Sequence, residues 1–312
     1  LNRDAAAPVL ARRLGDSGLA PPSSGPKRGR RELSDPLLAN WHLSDAVRPR
    51  NNEGCRHPDK VRAMPRQARI EVPGIPVHVT QRGVNRCAIF LDDDDRHHYR
   101  RLVREACTKH DVLVHAYVLM DNHVHLLLHA EQAGGVSRAM RTVGQAYVQA
   151  FNQRHKRVGT LWQGRYKSSL VDSDDYALRV IRYIELNPVR AAMVDAPEAH
   201  RWSSVHMHLG LRPDALMTLH PLYLSLADTA AARAYAYRAW LMSGTDDEEL
   251  ARIRAHMAQE KALGNPRFQA MLEKTLNRPV DLKPRGRPAL SKGDAISPPG
   301  SIGTKQSLPH PG

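Results

Sequence analysis

The chain has 312 residues, and its 46 Lys plus Arg against 32 Asp plus Glu leave a formal net charge of +14. An excess of that size attracts polyanions at long range, which makes nucleic acid the leading partner class. Cys55, Cys87 and Cys107 lack a Cys-x-x-Cys spacing, which argues against a zinc knuckle and a disulfide framework, and no apolar run is long enough to span a membrane. With no charged-then-apolar signal pattern at the start, the reading is a cytoplasmic protein.

Residues 1–63 mix Pro, Gly, Ser and Arg with brief apolar clusters, a composition that does not recover the entropy of ordering. The first residue is Leu rather than Met, and Met64 begins a different kind of segment. The stretch therefore reads as a disordered leader or a mis-assigned translation start. From Pro76 to Gly83 the pattern alternates like a half-buried strand. Asp92 to Asp95 then supply negative charge to the start of a helix running to about His110. Asp111 turns the chain into a strand over 112–120, and Asp121-Asn122 hands over to a second strand beginning at His123, forming a hairpin. After Gly134-Gly135 an amphipathic helix covers 136–157, with a basic last turn assigned equally to dipole complementarity and to phosphate contact. A loop from Leu161 runs into a short strand, Ser173-Asp174-Asp175 caps a helix over 176–187, and Pro188 ends it. The order is β-α-β-β-α-β with a helix appended: an α+β fold, an antiparallel sheet backed by helices.

Chemistry concentrates in three places. His123-Val124-His125 lies in a strand, where side chains i and i+2 share a face, so both imidazoles can converge on one metal ion. Against this, His-x-His arises by chance in a chain with 17 histidines, and His206-Met207-His208 is a second instance. On the 176–187 helix, Tyr183 and Asn187 stand one turn apart on one face. A tyrosine phenolate can attack a phosphodiester when a divalent cation is nearby, and Asn187 can add an amide oxygen to the two imidazoles. Two nitrogen ligands are unusual for Mg²⁺ and suit Mn²⁺ better, and ligand type alone leaves zinc open. Arg179, Arg182 and Arg190 are placed to steer a phosphate. Trp162, Arg165, Tyr166 and Lys167 interleave aromatic and cationic groups, as a surface for stacked bases would, with core packing of Trp162 an equal alternative. Tyr166 is the rival nucleophile.

Leu119 to Leu126, Leu161 to Lys167 and Tyr183 to Ala191, taken together, resemble the REP-associated tyrosine transposases, which belong to the single-tyrosine HUH transposases and nucleases. The resemblance covers about Met64 to Gly210 and includes Trp202-Ser203-Ser204. It implies a ferredoxin-like HUH core that cuts and rejoins single-stranded DNA at palindromic REP-like hairpins, with Mg²⁺ or Mn²⁺ as cofactor. On the matching positions, His123 and His125 would be the metal pair, Tyr183 the nucleophile and Asn187 the third ligand. Cleavage would leave a 5′-phosphotyrosine and a free 3′-hydroxyl. More distant relatives carry Gln where this chain has Asn187, which leaves the metal preference open. Monomer and homodimer both remain open. Two other classes compete: a catalytically idle hairpin-binding protein, and a zinc hydrolase using His123 and His125.

Beyond Gly210, residues 211–280 read as a helical appendage that either grips a duplex stem or covers the core. Residues 281–312 read as a basic disordered tail in which Arg285-Gly286-Arg287 resembles the minor-groove-binding core of an AT-hook.

Overall fold

The structure, a computed structural model, describes residues 69–283. Four strands form one sheet: β1 (Val77–Arg82), β2 (Val112–Leu119), β3 (His123–Ala130) and β4 (Lys167–Leu170). Their spatial order is β2-β3-β1-β4, and every neighbouring pair is antiparallel. Helix α1 (Asp93–Lys109) connects β1 to β2, and α2 (Gly135–Arg154) connects β3 to β4. β3 thus inserts between the strands of the first β-α-β unit, the split arrangement expected from the element order.

The register decides which side chains share a face. Val77 and Val79 lie opposite Leu128 and Leu126, and this face packs on α1 and α2 through Val103, Ala106, Val143, Tyr147 and Phe151. Thr80 lies opposite His125 and His78 opposite Leu127, on the other face. There Ala116, Val118 and Leu127 meet Val180, Ile181 and Ile184 of α3 (Ala177–Glu185). Burying each of those three α3 side chains contributes about 1.5–3 kcal/mol, so Ile181→Asp would lift the helix off the sheet. β1 is therefore covered on both sides, not half-buried as its alternation implied, and His78 is 1% exposed.

Local chemistry explains the element ends. The Asp92 side chain accepts from Asp95 N at 3.0 Å and caps α1. Arg154, in the basic last turn of α2, reaches Asp92 at 2.7 Å and Asp95 at 2.6 Å, so that charge ties α2 to the start of α1. Glu71 accepts from Val136 N at 2.8 Å and Ser137 N at 3.1 Å, serving as the missing cap of α2. A side chain at Gly83 would put its Cβ 2.3 Å from the Cys87 oxygen, which keeps the tight exit from β1 open only to glycine.

Pro188 does not end the helical path. It sits in the first turn of α4 (Asn187–Arg190), where a missing N–H costs nothing, and Leu186 between the two helices keeps near-helical angles. Short helices α5 (Val205–His208) and α6 (Pro221–Leu224) lead to α7 (Ala230–Met242), α8 (Asp247–Gln259) and α9 (Pro266–Leu276). Tyr223, Tyr237, Leu241, Leu250 and Ile253 from this part join the core over α3. The later chain also pairs with both outer strands. Leu119 N donates to Trp202 O beside β2, while Leu263 N donates to Leu170 O and Asp172 N to Leu263 O beside β4, each pair at 2.8–2.9 Å. Glu185, fully buried at the end of α3, accepts from Ser204 Oγ at 2.5 Å, His208 Nδ1 at 2.6 Å and Tyr237 OH at 2.6 Å.

Candidate active site

β3 places His123 and His125 side by side on the α3 face, ring centroids 5.1 Å apart. The register sets Arg82 beside His123 and Thr80 beside His125, with Lys167 next to Thr80. From the opposite wall, α3 brings the Tyr183 ring to 5.8 Å from that of His125. Asn187 follows one turn later, and its Nδ2 donates to Tyr183 O at 3.0 Å and Ile184 O at 3.2 Å. The amide oxygen is then the end left for the cavity that Asn187 lines. The two histidines, Tyr183 and Asn187 thus border one cleft of about 530 Å³, which Arg254, Met257 and Ala258 of α8 close from the far side.

The imidazoles are prepared as lone-pair donors. Burial pushes His123 down to about 4, and Arg82 acts in the same direction. Burial, followed by His78, His123, Arg190 and Arg82, holds His125 well below the usual histidine range. Both are neutral near pH 7. His123 Nδ1 donates to Asn122 Oδ1 at 2.6 Å, so its Nε2 carries the lone pair. The Nδ1 of His125 is likewise engaged, with His78 Nε2 at 2.9 Å. Two Nε2 atoms and one amide oxygen fit a divalent cation that keeps other positions open for substrate oxygens. Among the described residues, no group of three or more His, Cys, Asp or Glu could hold a metal ion.

Arg190 stands over Tyr183, its guanidinium 4.6 Å from the ring centroid, and donates through Nη2 to Tyr183 O. Its Nε and Nη1 are buried without an acceptor among the described residues. Burial lowers the guanidinium to about 10, and Tyr183 opposes that shift. Arg190 is not among the residues that line the cleft, so it backs the tyrosine rather than facing the cavity.

The other sequence-derived candidates divide. Arg165 and Lys167 line the cleft, and Lys167 Nζ also donates to Ala258 O at 3.4 Å. Arg165 also borders a larger groove of about 1230 Å³ between α2 and the strand edge, with Arg69, Arg141 and Trp162. Trp162 is 8% exposed and donates through Nε1 to Gly144 O at 3.0 Å, so the indole is packed, with only its rim at the groove. Tyr166 lies away from the histidines, its hydroxyl 3.1 Å from Ser137 Oγ and its ring 3.7 Å below Arg69. Arg182 is not brought to the cleft: it is buried, 3.8 Å from the Trp240 ring centroid and 2.9 Å from Glu249. Arg179 sits on the solvent side of α3, 3.6 Å from Glu249. Arg285 and Arg287 lie outside the described residues.

Sequence reasoning missed His78, Arg82 and Arg254. His78 and Arg82 were legible in principle, since the alternation of β1 puts both on the face of the histidine pair once the strands are paired. Arg254 carried no local signal.

Residues 71–187 match the family described as "Transposase IS200 like". One similar solved structure is a REP-associated tyrosine transposase bound to a REP hairpin, at 18% identity and a TM-score of 0.40, covering 48% of this chain and 89% of that one. Another is a putative transposase from Deinococcus radiodurans R1, at 22% identity and a TM-score of 0.28, covering 38% of this chain and 95% of that one. No curated protein sequence matches.

Proposed function

We propose, from the match of residues 71–187 to the IS200-like transposase family, that this chain is a metal-dependent, single-tyrosine endonuclease and strand transferase for single-stranded DNA with REP-like hairpins. The observation that carries the reading is the meeting of the Tyr183 ring, His125 and Asn187 in one basic cleft.

In this mechanism Tyr183 Oη attacks the scissile phosphorus. A phosphorus–Oη bond forms and the bond to the 3′ oxygen breaks. The phenolic proton is released and the leaving oxygen takes up a proton, giving a 5′-phosphotyrosine and a free 3′-hydroxyl. Rejoining reverses these exchanges with a second 3′-hydroxyl, and because one phosphodiester replaces another no outside energy is required. Held by His123, His125 and Asn187, Mg²⁺ or Mn²⁺ would polarise the phosphate and offset charge on the leaving oxygen. Arg190 acts twice. Its guanidinium packs over the Tyr183 ring, and its Nη2 donates to the Tyr183 carbonyl oxygen, which together hold the nucleophile in place. Arg82, Arg165, Lys167 and Arg254 track the backbone of the strand on either side.

Trapping the intermediate tests the reading. Wild-type protein with Mn²⁺ and a hairpin oligonucleotide should yield a covalent adduct on a denaturing gel, and Tyr183→Phe should yield none. An adduct that persists in Tyr183→Phe but vanishes in Tyr166→Phe would transfer the role to the other tyrosine. Tight hairpin binding without any cleavage would identify an idle DNA-binding protein. No helix among the described residues is long and apolar enough to cross a membrane.

A further inference from the structure

A third imidazole, behind His125, has no role in the mechanism above. His78 comes from the central strand β1, is 1% exposed, and shares its face with Thr80 and Arg82. Its Nε2 lies 2.9 Å from His125 Nδ1, and its ring meets Tyr183 edge-on at 5.7 Å between centroids. The contact engages Nδ1 of His125 and leaves Nε2 as the nitrogen available to the cleft that His125 lines. His78 therefore cannot bind the same ion through Nε2, because that atom is already committed to His125.

We propose that His78 is a positioning residue that accepts a hydrogen bond from His125 Nδ1–H, fixing the tautomer and ring orientation that present Nε2 to the metal. This rests on the metal reading given above. The proton logic is compulsory. If His125 Nε2 supplies a lone pair to a cation, the neutral ring must carry its proton on Nδ1. Among the described residues the partner of that nitrogen is His78 Nε2, so His78 must itself be protonated on Nδ1. Asn122 Oδ1 does the same for His123 at 2.6 Å. The two halves of the clamp are thus each locked from behind, one by a turn residue, the other by a residue on the adjacent strand. Ligating histidines are ordinarily oriented by a carboxylate or a carbonyl, and here an imidazole lone pair occupies that place. Because His78 also touches Tyr183, it sets the separation between the ligand and the nucleophile.

Two measurements test this on the full chain. In metal-free, ¹⁵N-labelled protein, long-range nitrogen–proton correlation reads the tautomer of His125, its signals identified by their loss in His125→Ala. The Nδ1–H form is expected, and an Nε2–H form would overturn the proposal even if no His78 variant folds. Mn²⁺ titration followed by electron paramagnetic resonance reads affinity without turnover. His78→Phe keeps the ring and removes the acceptor, and should weaken Mn²⁺ binding by about 10–100-fold. His78→Gln restores an acceptor and should recover most of the loss. Unchanged affinity in a folded His78→Phe protein, with His125→Ala clearly weakened, would remove the positioning role alone. Unchanged affinity in His125→Ala would remove the metal reading, and this proposal with it.

Discussion

Replacing Glu185 should unseat the nucleophile without touching the cleft. Its carboxylate is fully buried two residues past Tyr183, and it receives three hydrogen bonds of 2.5–2.6 Å from Ser204, His208 and Tyr237. These tie α3 to α5 and α7. Glu185→Ala removes the acceptor for all three and leaves their donors buried, and at about 1–3 kcal/mol for each buried donor left unsatisfied the loss is on the order of 3 kcal/mol or more. Glu185→Gln keeps the shape and one acceptor, and the two hydroxyls can rotate to accept from the new amide, so about 1–2 kcal/mol is expected. Urea unfolding followed by tryptophan fluorescence reads both. The adduct assay should show slower cleavage in Glu185→Ala at temperatures where it is still folded, because α3 carries Tyr183. A loss below about 1 kcal/mol for the alanine variant would refute the assignment of the anchor to this carboxylate.

Acid should destabilise the protein through histidines held neutral. Burial brings His115 down to about 4, against 6.5 when unfolded, so between those values the unfolded chain binds more protons and stability falls as pH drops from 6.5 to 4. The slope is at most about 1.4 kcal/mol per pH unit for each such group, and His115→Phe should flatten it in urea titrations taken at several pH values; an unchanged slope would contradict the argument. Arg254→Ala and Arg182→Ala should separate two kinds of cation. The first should weaken single-strand binding and reduce the salt slope by about 0.7, with thermal stability kept. The second should lower stability and leave the salt slope alone, and a reversal of that pattern would show that the arginines had been assigned to the wrong roles.

The parts of this molecule legible in its sequence are those set by local periodicity. Strands β1 and β3, the turn at Asp121-Asn122 and the acidic start of α1 all appear where the residues placed them. Spacing also put His123 with His125, and Tyr183 with Asn187, on common faces. What it could not supply is what each face meets. Arg182 looks like a surface cation until Trp240 and Glu249, about sixty positions later, close over it. Arg154 looks like a helix-end charge until Asp92 and Asp95 arrive from α1. Pro188 misled for a different reason: a proline that stops one helix is also well suited to start the next, and only the backbone angles at Leu186 distinguish the two.

The pairing of residues 202–204 with β2 and of residue 263 with β4 bears on where this chain can be cut. A fragment ending near residue 210 would keep the cleft's histidines and tyrosine, yet leave Leu170 O and Asp172 N at the end of β4 without their Leu263 partners and β4 without a neighbour on that side. Uncovered edge strands recruit other copies of themselves, so the shortened protein should clump in solution more readily than the longer one. Engineering a minimal nuclease from this scaffold therefore means retaining the chain through about Leu263, or supplying a substitute for the ribbon that seals the sheet.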